Sequence, residues 1–380
     1  MKKRKSVFGA SSIVAGSGIG SGVMTIPYFV EHSGIIGGLV AFTTAYIVSV
    51  ILHLMIAEIM LQMNETADIL AAFNKYLFTG RLKYFLKYLF FAVMVVVLET
   101  NLAAYISGAS DIINGLIHAP AFIIEVTFYF LAAIVVLYGL KSVSISEKVS
   151  VTFMGVLLLA ATIISFGNVN KSASISAFGG IAPSVACFGM IMFSFSAIFS
   201  VPQVIEVLDR DKSKVRISIF LGFLINLIIS VIITICTIAA SKEVTEIAIV
   251  GWADSVGGAI RIIGSVFIVF AMLTSYWSIG LATTDIISGT TKKNFGLSFA
   301  LATIPALIMT FFLNNSFMEY MKIAGGAVAV IISLLLIPTF VICIKDKECI
   351  IMKKHERHIS VTIFIFVMYI LMAIGSFISV

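Results

Sequence analysis

The chain has 380 residues, of which 60% are hydrophobic and only 12% charged, with a mean hydropathy of +1.12. Soluble domains carry roughly 45–50% apolar and about 25% charged residues, so this composition excludes a soluble enzyme, a nucleic-acid-binding module and a disordered chain. At roughly 20 apolar residues per spanning helix, the chain holds about ten or eleven spans and little else, and its net charge of +6 has to be read by position.

Windows of spanning length fall, in chain order, at Val7–Val30, Gly34–Leu61, Tyr84–Gly115, Ala121–Leu140, Val149–Gly167 and Ile181–Leu208. They continue at Val215–Ala240, Val256–Ile287, Phe295–Leu313, Ile323–Ile344 and Ile359–Val380. None shows the period-2 alternation of a barrel strand, and helices satisfy their own backbone in lipid, so an all-α integral membrane protein of about 11 transmembrane helices is expected. Met1-Lys-Lys-Arg-Lys5 before an apolar run imitates a signal peptide. However, that run is too long for an h-region and no small-residue cleavage site follows, so it reads as a retained first span. The residues at Glu31–Ser33 read as a tight loop between spans.

With the N-terminus in the cytoplasm and eleven spans, all but four of the 25 Lys and Arg fall in cytoplasmic segments, the exceptions being Lys171, Lys242, Arg261 and Lys322. That is the positive-inside bias. It assigns the charge to loop orientation, leaves no role for nucleic acid, and places the C-terminus outside. The expected location is the inner (plasma) membrane, with the lipid bilayer as surroundings and no obligatory protein partner. Four cysteines (Cys187, Cys236, Cys343, Cys349) show neither CxxC pairs nor ligand spacing and read as free thiols. Enzyme signatures such as HExxH, GxSxG and GxxxxGK[ST] are absent, and without a nucleotide site uphill transport has to draw on an ion gradient.

Two spans carry breaks. The first contains Gly16-Ser-Gly-Ile-Gly-Ser-Gly22 and then Pro27; each glycine costs a helix about 1 kcal/mol relative to Ala. Close packing through small-xxx-small spacing is the alternative use of such a run. The sixth reads Phe193-Ser-Phe-Ser-Ala-Ile-Phe-Ser-Val-Pro-Gln203, with Pro202 expected to free the carbonyl four residues back. Interrupted helices in the first and sixth positions of two five-helix halves point to a transporter site between inverted repeats.

Here the sequence resembles the amino acid–polyamine–organocation superfamily, and within it the permeases for aromatic, hydroxylated and neutral amino acids. The residues carrying this are Gly20-Ser-Gly-Val-Met-Thr-Ile-Pro-Tyr28, Ser194-Phe, Ser200-Val-Pro202, Asp209, Arg216, Leu273-Thr-Ser-Tyr276 and Asp285. The resemblance implies a LeuT-type fold of 5+5 inverted repeats, helices 1–5 over 7–167 and 6–10 over 181–344, with an eleventh at 359–380. It implies an amino-acid substrate bound by Gly18, Ser21, Gly22, Phe193, Ser194, Ser196, Phe199 and Ile279. It further implies a sodium site of Gly16, Ile19, Ala271, Thr274 and Ser275, from an Ala-x-x-Thr-Ser pattern with two first-span carbonyls. Coupling to protons is the alternative, since some similar permeases use them and Thr or Ser also back-bond to their own helix.

Charges inside spans are functional candidates. Glu99, the deepest acid by position in its window, is a candidate proton carrier or gating residue. Glu58, Glu206 and Asp285 fall near cytoplasmic helix ends and are expected in ion pairs there, and His53 has no ligand partner at metal spacing. The sequence thus describes a symporter working by alternating access, sodium-coupled or proton-coupled. A membrane receptor subunit that senses an amino acid on the same fold is the other reading.

Overall fold

A computed structural model describes residues 6–63, 68–169, 175–313, 327–345 and 347–378, without the side chains of Ser21, Leu313 and 327–332. Among the described residues the regular structure is helical throughout. The helices are α1 (Val7–Ile19), α2 (Ile26–Gln62), α3 (Ile69–Tyr76), α4 (Lys83–Ile117), α5 (Ala121–Leu137), α6 (Leu140–Phe166) and α7 (Ile181–Ser194). They continue as α8 (Ser200–Val207), α9 (Lys212–Ala240), α10 (Ala248–Val256), α11 (Gly258–Thr291), α12 (Phe295–Leu313), α13 (Ala327–Ile344) and α14 (Ile359–Ser376). Among the described residues seven helices (α2, α4, α6, α9, α11, α12 and α14) are long and apolar enough to cross a bilayer alone.

The first window breaks where its glycines predict. Helix α1 starts on a Ser6 cap whose hydroxyl accepts from the Gly9 N–H at 3.2 Å, and it stops at Gly20, whose φ of +30° leaves the helical region. A short 3-10 turn, Ser21–Met24, leads into α2. Glu31–Ser33 is helical rather than a loop. At Gly34 (φ +78°, ψ 173°) the backbone leaves the helical region, so α2 is two helical stretches meeting at a kink, and a Cβ there would stand 2.7 Å from the Ser176 carbonyl. That kink is stitched to the segment before α7 by Ile35 N–H to Ser176 O and Gly179 N–H to Ser33 O.

The sixth window is two helices, α7 and α8, separated by Phe195–Phe199. Pro202 does not sit mid-helix as expected. It is the third residue of α8, where its missing N–H has no intrahelical acceptor to leave vacant. Two short helices escape the hydropathy windows. Helix α3 is capped by Asp68, which accepts from Ala71 N–H at 2.8 Å. Helix α10 buries Trp252, whose indole N–H donates to Ser165 of α6 at 3.0 Å. Helix α6 begins at Leu140, well before the expected Val149, which brings Glu147 into the bundle. The start of the tenth window, Ile323, and the end of the eleventh, Val380, lie outside the described residues.

The broken helices sit at the centre. Helix α1 packs on α6, α9 and α11, and α2 packs on α7 and α9. The outward faces of α5, α6, α12 and α14 expose large apolar side chains such as Phe130, Ile163, Phe312 and Phe364, which suits contact with lipid. All four cysteines are free.

Candidate functional site

Because α1 ends at Ile19, its last four carbonyls have no N–H one turn on, and together they form the negative pole of a helix dipole. Helix α11 answers with hydroxyls. Thr274 Oγ1 lies 3.0 Å from Gly16 O and 2.9 Å from Ala271 O, and Ser275 Oγ lies 3.4 Å from Gly16 O and 3.5 Å from Ser17 O. Of the expected cation ligands, Gly16, Ala271, Thr274 and Ser275 are therefore joined in one oxygen-lined spot. Ile19, fully buried, closes the same helix end. Orphan carbonyls and hydroxyls at a half-helix C-terminus are donors that fit a hard monovalent cation.

The two breaks touch each other. A Cβ on Gly22 would lie 3.4 Å from the Phe193 ring, and one on Gly18 would lie 3.2 Å from Ser194 O and 2.6 Å from Asn226 Nδ2. Four of the expected substrate residues, Gly18, Gly22, Phe193 and Ser194, thus converge. The Ser194 hydroxyl is buried with no hydrogen-bond partner among the described residues, so a polar group remains available where the breaks meet. Ser196 folds back, its N–H on Phe193 O at 3.1 Å. Phe199 caps α8 and lines a cavity beyond the break. Ile279 is buried in α11, one turn from Ala282 of that cavity wall. The side chain of Ser21 lies outside the described residues.

Three side chains that sequence reasoning did not place hold the unwound segments. Asn226 of α9 donates to the carbonyl of Ser194 at 3.1 Å and accepts from Ser230 at 3.3 Å. His53 of α2 accepts the Ala197 N–H on Nε2 at 3.1 Å while its Nδ1 faces Ser49 O at 2.6 Å. These partners set the neutral tautomer with the proton on Nδ1. Gln203 of α8 donates to Ser278 O of α11 at 2.8 Å. An isolated Asn within an apolar window was the visible signal for Asn226; for His53 the signal was a lone imidazole without metal partners.

Glu99 lies in α4 and is 9% exposed, yet it is not the deepest acid, because Glu58 and Glu147 are both fully enclosed. Among the described residues Glu58 has backbone and amide partners rather than an ion pair. It accepts the N–H groups of Ile350, Ile351 and Met352 at 2.7, 2.9 and 3.2 Å and the Gln62 amide at 3.0 Å. An ion pair at this end joins Arg216 to Glu356, with Arg216 also donating to Ile351 O at 2.8 Å. Arg210 donates to the carbonyls of Met60, Leu61 and Met63. The end of α2, the 348–356 segment and the start of α9 are thus clasped together. Glu206 and Asp285 line a cavity of about 250 Å³ with Asp68, Arg210, Gln203 and Phe199. The cavity runs from the break of α7 and α8 toward the end of the molecule that carries the basic loops.

A sequence profile of the tryptophan/tyrosine permease family matches residues 3–379. The chain belongs to that family. It is a secondary transporter of the amino acid–polyamine–organocation type and not an enzyme. No curated protein matches the sequence. Among solved structures, the nucleobase-cation-symport-1 transporter Mhp1, closed on bromovinylhydantoin, superposes with a TM-score of 0.63 at 13% identity, over 97% of this chain and 90% of its own. An Eremococcus coleocola manganese transporter bound to an aromatic bis-isothiourea compound gives 0.59 at 15% identity, over 98% of this chain and 85% of its own. At these identities the likeness carries the LeuT-like fold and nothing about substrate.

Proposed function

We propose that this permease is an amino-acid symporter working by alternating access, with the zwitterion held where the breaks of α1 and α7–α8 meet. The observation that supports this most is the contact of the breaks themselves, Gly22 against Phe193 and Gly18 against Ser194. It places backbone N–H groups of the Ser21–Met24 turn and the orphan carbonyls of α1 within one region. The former suit a carboxylate and the latter an ammonium or an alkali cation. The family's name puts tryptophan and tyrosine first among substrates to test, and Phe193 and Phe199 supply aromatic surface for such side chains. Sodium is the favoured coupling ion, through Gly16, Ile19, Ala271, Thr274 and Ser275, with protons as the alternative.

The basic loops mark the cytoplasmic face in this reading. The cavity bounded by Phe199 and Asp285 is then the inward vestibule, through which substrate leaves. Glu99 keeps its candidacy as a proton carrier in a proton-coupled cycle. Uptake of radiolabelled tryptophan and tyrosine into proteoliposomes tests the proposal. Accumulation above equilibrium driven by an inward sodium gradient is expected, and its absence under both sodium and proton gradients overturns symport.

A further inference from the structure

Helix α6 delivers a carboxylate to the cation spot that neither composition nor the family resemblance assigns. Glu147 is fully buried, and neither of its oxygens has a hydrogen-bond partner among the described residues. Its Oε2 is pressed against the last turn of α1 at Gly16, in the space a Cβ on that residue would fill, and the same Cβ would be 3.1 Å from Thr274 Cβ. Gly16 carries no side chain, and this is what makes room for the carboxylate. The neighbouring Lys148 is exposed and points its charge elsewhere.

The electrostatics are one-sided. An anion beside the negative pole of a half-helix, in a low-dielectric interior, is strongly disfavoured unless a cation joins it. The hydroxyls of Thr274 and Ser275 are directed to Gly16 and Ser17 and offer Glu147 nothing. What the arrangement lacks is positive charge, and what it offers is a ring of oxygens. We infer that Glu147 is the anionic ligand of the coupling cation, binding an alkali ion together with the carbonyl of Gly16 and the hydroxyl of Thr274. Because its carboxylate balances the ion's charge, the site does not depend on the substrate's carboxylate to hold the cation. This assignment rests on the symport reading and adds to it the residue that sets cation affinity.

The test uses the purified full-length protein in detergent at one fixed pH. Thermal unfolding is followed while sodium chloride replaces choline chloride at constant ionic strength, since a ligand of the folded state raises its apparent stability. The wild type is expected to gain stability with sodium. Glu147→Gln should unfold cooperatively in choline, at or above the wild-type temperature because an unpaired buried charge is gone. Its half-saturating sodium should rise by about a hundredfold or more. Glu147→Asp, which keeps the charge on a shorter arm, should respond to sodium at an intermediate concentration, and this holds the test open if the Gln variant does not fold.

A Gln variant with the wild-type sodium response overturns the assignment. So does a wild type that ignores sodium, lithium and potassium alike and responds to pH alone. Binding of radiolabelled tryptophan measured on the same samples separates the two readings. Sodium stabilisation lost in Glu147→Gln without any amino-acid binding supports the ligand role and removes only the substrate. Amino-acid binding with no cation response in the wild type removes the ligand role alone.

Discussion

The N–H of Ala197 donates to Nε2 of His53 at 3.1 Å, across 144 residues of sequence. Ala197 stands in the unwound stretch between α7 and α8, where the backbone has left its helix, and His53 supplies an acceptor that lipid or packed side chains could not. The ring is wedged edge-on against Phe223 of α9, with centroids 4.5 Å apart, so it cannot swing away.

His53→Leu keeps the volume and removes the acceptor. The stranded N–H should cost about 1–3 kcal/mol, visible as a lower melting temperature, while His53→Gln, which can still accept, should recover part of it. Equal melting of the Leu variant and the wild type would dissociate His53 from the integrity of the break.

Gly18→Ala drives a methyl to 2.6 Å from Asn226 Nδ2 and 3.2 Å from the Ser194 carbonyl. Substrate binding should fall by at least about tenfold, since two backbones at the breaks have to separate. In the double variant with Asn226→Ala the tighter of the two clashes disappears. Binding should then partly return although a buried hydrogen bond is lost, the non-additivity expected of touching residues. Ligand-induced thermal shifts of the four proteins measure this directly.

Glu58 gathers three successive backbone N–H groups of the segment after α13 onto the end of α2. Hydrogen bonds to a charged acceptor contribute more than neutral ones. Glu58→Gln replaces one accepting oxygen with a donor group facing other donors. Deuterium uptake by residues 348–356 should quicken by about tenfold or more, with α9 and α11 unaffected. Unchanged uptake in that segment would count against the clasp.

Two acids at the same end should give opposite responses to pH. Burial alone would raise the Glu356 carboxyl. Hydrogen bonds from Arg216 and the Lys353 N–H, with the Arg216 and His355 charges, bring it below its ordinary 4.5 instead. Its stabilising contribution is complete above that value and is lost as pH falls through the lowered one. Asp68 is pushed by burial up to about 6 from 3.8, against hydrogen bonds from the Ala71 and Leu70 N–H groups and the Lys87 charge. Its contribution is greatest below 3.8 and is lost as pH rises through about 6. Melting curves against pH should therefore lose their neutral-side decline in Asp68→Asn and their acid-side decline in Glu356→Gln. The reverse pattern would contradict the environments of both carboxylates.

What could be read from the sequence was whatever is local. The glycines of 16–22 announce a break because glycine is a weak helix former wherever it falls, and the serines and proline of 193–203 do the same for the second. Thr274 and Ser275 stood out as paired hydroxyls in an apolar run. Glu147 did not, because a hydropathy window trims charged ends and stopped at Val149, beside Lys148. The functions of Asn226, His53 and Gln203 depend on partners 32, 144 and 75 residues away, and local pattern carries no information about such distances. The polar triplet Glu31–Ser33 misled for a related reason. It looks like a loop, whereas its residues are helical and the break between the two helical stretches falls one residue later, at Gly34.

The bond from Thr274 to Gly16 spans 258 residues, and this bears on how the protein is made. At roughly 5–20 residues per second of synthesis, the end of α1 waits on the order of ten to fifty seconds for the hydroxyl that will meet it. In hydrocarbon an unpaired carbonyl is not tolerated for want of water, so the opened glycine stretch cannot be the form in which α1 first enters the bilayer. The nascent segment has to stay helical through Gly20, or linger at the wet interface, until α11 is inserted. Unwinding is therefore among the last events of biogenesis, and a chain truncated before Thr274 would lack the groups that hold it open.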